Sequence, residues 1–198
     1  MVGILAYGSL SDDPGKEISP LIVGRIRDTR TPFLVEFARR SRTRDGAPTL
    51  APVSEGGDSV KASVLVLEEY VSEGEATDML WRRETRREGS DEGYEATANP
   101  SPNTMLVRRL EDFEGVDVVL YAEIRANIQN LNPRKLAELA VCRSRAGREG
   151  RDGIAYLIGV KKNGVEMPMM PEYEREILRI TGSESLGDAR EMLIRPEP

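Results

Sequence analysis

The sequence predicts an α+β fold, with a mixed sheet closing toward a small β-barrel and helices around it. Three observations lead there. Strand-like segments come first, with helical ones inserted and then clustered late. The regular strand–helix alternation of a doubly wound sheet is missing. The clearest strand, Val60 to Leu67, is apolar along nearly its whole length, as a buried strand is.

The elements follow in order. Val2 to Tyr7 is a short apolar run ending at Gly8-Ser9, a buried strand entering a tight turn. Asp12-Asp13-Pro14-Gly15 has turn chemistry. Phe33 to Ala38, Thr49 to Val53 and Val60 to Leu67 read as strands. Val2–Tyr7 and Val60–Leu67 should share one sheet, both largely buried. Ser72 to Glu84 reads as a helix. Ser72 with Glu75 forms a capping-box pattern, and Ala76, Met79, Leu80 and Arg83 fall on one face. The stretch from Gly89 to Pro102 is a loop, and Thr104–Arg109 and Val116–Ile124 are strands. Asn132-Pro133 opens a helix carrying Leu136, Leu139, Ala140 and Arg143. Gly147 to Gly153 reads as a charged loop. Ile154–Val160 fits either a strand or a short helix. Tyr173–Ile180 and Ser185–Leu193 read as helices.

With 198 residues, one domain is the better expectation, spanning 1–198, with 168–198 as a helical C-terminal extension. A chain this long can bury roughly 70% of its unfolded surface. Charged residues make up 31% with both signs interspersed, and the net charge is −6, which argues against nucleic acid as a partner. The basic runs Arg39, Arg40, Arg42, Arg44 and Arg82, Arg83, Arg86, Arg87 read mainly as solvated or salt-bridged surface. The apolar start lacks a basic leader, so no secretory signal is expected. No apolar run reaches about 18 residues, so no membrane span is expected. A single cysteine, Cys142, excludes an internal disulfide, and a cytoplasmic location fits.

There is no histidine. That removes the commonest general base and the commonest transition-metal ligand. Ser-His-Asp and Cys-His sites cannot be built, and proton transfer falls to Glu, Asp, Lys, Tyr or Cys. Cys142 reads as an inert core thiol. Asp152 before Gly153 reads as a turn former. Glu166 and Glu172 have no partner that singles them out.

Two segments stand out. In Tyr7-Gly8-Ser9-Leu10, a strand ends in a glycine turn that can aim backbone N–H groups at an anion, with a serine hydroxyl beside them. In Leu80-Trp81-Arg82-Arg83-Glu84, a carboxylate sits near a helix end. Taken singly, the first is also an ordinary turn and the second an ordinary surface ion pair. Together they resemble the γ-glutamylcyclotransferase-like superfamily, whose Tyr-Gly-Ser turn follows the first strand and whose catalytic glutamate comes tens of residues later. The resemblance covers roughly residues 1–160. Trp81 departs from the family's usual residue, and the tail after Pro168 has no counterpart in its smallest members.

The resemblance implies a cytoplasmic enzyme of transferase or lyase type, in the chemistry of glutathione metabolism. A γ-glutamyl amine or peptide would cyclise to 5-oxoproline and release the amine. Glu84 would shuttle the proton, Tyr7, Gly8, Ser9 and Leu10 would bind substrate, and Tyr121 would line the pocket. Neither metal nor other cofactor is implied. Such a site requires Glu84 within about 10 Å of the Gly8–Ser9 backbone. The alternative is a non-catalytic small-molecule-binding protein of the same fold.

Overall fold

A computed structural model describes residues 1–146 and 152–194. The Gly147–Gly153 loop expectation lies mostly outside the described residues. The described chain holds seven strands and six helices. They form two compact units, one of residues 1–32 and 59–125, the other of 33–58 and 126–198. The described residues from 168 to 194 fall in the second unit.

The first unit is built on a five-stranded mixed sheet of order β2-β5-β1-β7-β6. Its strands are β1 (Val2–Ala6), β2 (Ile22–Arg30), β5 (Lys61–Leu67), β6 (Met105–Phe113) and β7 (Val116–Ile124). β1 lies at the centre, antiparallel to β5 with Ile4 opposite Leu65, and parallel to β7 with Ile4 opposite Leu120. The apolar runs at β1 and β5 thus share one sheet and are largely buried, as their composition requires. β6 and β7 form a hairpin whose two turn residues, Glu114 and Gly115, both have positive φ, the geometry of a tight primed turn.

The sheet is open among the described residues, so the expected small barrel is not formed. Closure needs an edge ready to pair. The β2 edge is interrupted twice by register shifts and exposes Val23, Arg25 and Arg27. The remaining strands, β3 (Leu34–Ser41) and β4 (Ala47–Val53), pair with each other as a separate two-stranded ribbon.

Helix α2 (Glu73–Thr85) follows β5. Its capping box is complete: the Ser72 hydroxyl accepts from the Glu75 N–H at 3.2 Å, and the Glu75 carboxylate accepts from the Ser72 N–H at 2.9 Å. Ala76, Met79 and Leu80 on its inner face join one core with Ile4, Ala6, Leu10, Leu65, Leu67, Leu120 and Ala122. The helix ends at Arg86, which takes the left-handed conformation (φ 60°, ψ 41°) usually filled by glycine or asparagine.

In the second unit, the β3–β4 ribbon is joined by α3 (Pro133–Ala146), α4 (Gly153–Lys162), α5 (Met170–Thr181) and α6 (Leu186–Ile194). The ambiguous Ile154–Val160 run is therefore helical. Asp152 is no simple turn former: it is buried and caps α4 by accepting from the Ala155 N–H at 2.7 Å, while Arg190 donates to its other oxygen at 3.1 Å. Phe37 meets Tyr156 and Tyr173 edge-on, at centroid distances of 6.1 and 5.3 Å. Arg39, expected on the surface, is 5% exposed. Cys142, expected in the core, is exposed.

Candidate functional site

The site expected from sequence falls entirely within the first unit. β1 ends at Ala6, and the chain turns at Gly8, whose φ of 59° and ψ of −135° suit a residue without Cβ. One helical turn, α1 (Ser9–Asp12), follows. The Ser11 hydroxyl donates to the Ala6 carbonyl at 3.0 Å, closing the end of β1. Leu10 is buried in the core and anchors the turn, while Gly8 and Ser9 are exposed. Within the turn the Ser11 N–H donates to the Gly8 carbonyl at 3.2 Å and the Asp13 N–H to the Ser9 carbonyl at 3.0 Å. Tyr7 donates its hydroxyl to the Ala122 carbonyl at 2.8 Å, which ties the turn to β7.

Glu84 lies in the last turn of α2 and is half-buried, with 21% of its side chain exposed. Arg83 pairs with it. The other terminal nitrogen of Arg83 donates to the Asp13 carbonyl at 2.6 Å and reaches the Ser9 hydroxyl at 3.5 Å. One guanidinium thus touches both expected halves of the site. Two hydrogen bonds and the width of one fork hold the Glu84 carboxylate within about 9 Å of the Ser9 hydroxyl.

No protein-family model matches this chain, and no curated protein sequence matches it significantly. The geometry therefore carries the functional argument.

A cleft of about 470 Å³ is lined by Lys16, Glu17, Arg83, Arg86, Glu88 and Gly89. Two ties close its wall. Arg82 donates twice to Glu17, at 2.8 and 2.7 Å, and the Gly89 N–H donates to the same carboxylate at 2.6 Å. The Arg82 guanidinium holds the Glu17 carboxyl below its ordinary pKa, against the opposing effect of burial. Glu88 accepts from the Lys16 N–H at 2.7 Å. Gly15 (φ 91°) lets these segments approach: a Cβ there would sit 2.4 Å from Glu88 Oε1 and 2.8 Å from Arg83 Cγ.

Tyr121 stands apart. Leu120 and Ala122 face the core shared with α2, so strand alternation places Tyr121 on the other face of β7. Burial raises its pKa, the Glu123 charge adds to the rise, and Arg108 opposes it. Among the described residues, no group of three or more His, Cys, Asp and Glu is placed to hold a metal ion, and no helix is long and apolar enough to cross a membrane.

Sequence reasoning missed Lys16, Glu17, Glu88 and the part played by Arg83. No local pattern marks them. Residues 15–17 and 83–89 meet only through tertiary structure, although the position of Arg83 on the inner face of α2 was a usable signal.

Proposed function

We propose that this chain is a γ-glutamylcyclotransferase-like enzyme, of the fold type that name implies. The free α-amine of a γ-glutamyl group attacks its own γ-carbonyl. A new C–N bond closes the five-membered ring, the old amide C–N bond breaks, and 5-oxoproline and an amine leave. Glu84 takes the proton released by the attacking nitrogen and delivers it to the departing one. The reaction is unimolecular once the substrate is bound, so the protein mainly has to hold a folded-back conformer. Backbone N–H groups of the Gly8–Leu10 turn supply the anion contacts, either to the substrate α-carboxylate or to the developing oxyanion.

The observation that supports this reading best is Arg83 bridging Glu84 and the Ser9 turn. It links a carboxylate and a glycine turn through one guanidinium in a chain without histidine. Tyr121 lies on the opposite strand face, so the reading rests on Glu84 and residues 7–10.

The same ion pair favours a second reading. A carboxylate already held by arginine suits a small-molecule-binding protein that performs no proton transfer. Incubation with a panel of γ-glutamyl amines and peptides, with mass-spectrometric detection of 5-oxoproline, separates the two. Release of 5-oxoproline above the spontaneous rate supports the enzyme. Saturable binding without it supports the binder.

A further inference from the structure

We propose that Glu17 and Arg82 are positioning residues, whose tie holds the segment after the Gly8–Leu10 turn against the end of α2 that carries Glu84; this rests on the cyclotransferase reading. Neither residue belongs to the site expected from sequence.

Connectivity comes first. Residues 13–17 are joined to the end of α2 and the residues just after it. Arg83 donates to the Asp13 carbonyl at 2.6 Å, and the Lys16 N–H donates to Glu88 at 2.7 Å. Two Arg82 nitrogens donate to one Glu17 oxygen at 2.8 and 2.7 Å, and the Gly89 N–H donates to the other at 2.6 Å. Positions 82, 83, 88 and 89 flank Glu84 on both sides in sequence. The turn's following segment is thus fixed to the same stretch of chain that carries the carboxylate.

The quality of the tie comes second. Both Glu17 oxygens are engaged, and the third Arg82 nitrogen donates to the Glu92 carbonyl at 3.0 Å. The two side chains are only 16% and 20% exposed. Desolvation offsets much of the attraction in such a pair, so its net stabilisation is small. What several charge-assisted bonds supply is fixed geometry.

Placement comes third. Leu10 and Ile18 both enter the core that α2 shares. Between these two anchors the chain runs near the surface, so its polar contacts set its course. Arg25 adds one contact from β2, to the Ser11 carbonyl at 3.0 Å. The others come from α2 and the residues after it. A shift of about 1 Å between turn and carboxylate can cost roughly 10²-fold in rate.

Glu17→Gln tests the tie, since it keeps the side-chain shape and removes the charge. Two measurements are made on the full chain. Hydrogen exchange at the Ser11 and Asp13 N–H groups, both bonded within the turn, needs no substrate. It should quicken roughly tenfold in the variant, as expected for loss of a charge-assisted bond. Release of 5-oxoproline from the best γ-glutamyl substrate of the panel is the second. Per folded molecule, kcat should fall roughly tenfold with KM little changed. Placed in a Glu84→Gln background, Glu17→Gln should cost almost nothing further, because it acts through the placement of Glu84. Arg82→Lys keeps the charge without the planar donors and should show the same changes to a smaller degree. Unchanged exchange, a parent-like kcat, or an equal loss in both backgrounds overturns the proposal and leaves the cyclotransferase reading intact. Faster exchange in the variant, with no 5-oxoproline from any substrate even in the parent, supports the tie and rejects that reading.

Discussion

Arg83 and Glu84 are adjacent in sequence, and on a helix such neighbours diverge. Here the long arginine reaches both its neighbour and the β1 turn. Glu84→Gln keeps the shape but cannot accept a proton, so kcat should fall by about 10²–10⁴-fold with ligand binding largely kept. Ser9→Ala should cost less, because the turn's donors are mostly backbone N–H groups. Kinetics on the best panel substrate check the order, and near-full activity of Glu84→Gln would assign the proton transfer elsewhere. Gly15 tests the wall of the cleft. Gly15→Ala puts a methyl into the Glu88 carboxylate and the Arg83 stem at a positive φ. It should destabilise the protein by about 1–2 kcal/mol and lower turnover as Arg83 shifts. Denaturant melts and rates on the same sample decide it; a variant as stable and active as the parent contradicts the close approach.

Helix α2 carries the candidate carboxylate, and its two ends act in opposite senses. At the start, the reciprocal Ser72–Glu75 bonds satisfy backbone N–H groups the helix cannot satisfy itself. Ser72→Ala should therefore cost about 1 kcal/mol. At the end, Arg86 accepts left-handed strain. Arg86→Gly should relieve part of it and stabilise by about 0.5–1 kcal/mol, the lower figure allowing for the greater freedom of glycine in the unfolded chain. Urea titrations of both variants give the two signs, and a destabilised Arg86→Gly would mean the arginine contributes more to the fold than the cap costs. The arginines at 82 and 83 also suit the negative end of the helix dipole.

Across the whole molecule, the two units are each discontinuous in sequence, and the chain passes from one to the other at three points. Long-range contacts must therefore complete both. Glu36 is one such contact in the second unit. It is fully buried in β3 and accepts from the Phe37 N–H at 2.8 Å and from the Met169 N–H, 133 residues away, at 3.0 Å. Burial raises its pKa above the ordinary 4.5, against the lowering effect of those two donors. The folded state thus holds the proton more tightly than the unfolded chain. The stabilisation is fully present below pH 4.5 and is lost as pH rises through the elevated value. Glu36→Gln should remove this pH dependence. Denaturation across pH 4–8, compared between parent and variant, tests it: a stability difference constant with pH contradicts the assignment.

Local patterns read correctly where one physical rule dominates. Continuous apolar runs gave β1 and β5, because only buried strands tolerate them. A capping box gave the start of α2 to the residue. The glycine turn and Glu84 were legible as a pair of segments, and in the structure Arg83 contacts both the Ser9 hydroxyl and the Glu84 carboxylate. β2 escaped notice because a charged, bulged edge strand shows one half-buried face and little apolar signal. The open sheet, the buried Arg39 and Glu36, and the cleft wall from residues 15–17 and 83–89 belong to tertiary structure alone. Sequence fixes which residues want to be buried or turned; which distant polar groups then meet depends on how the elements pack, and no local period records that.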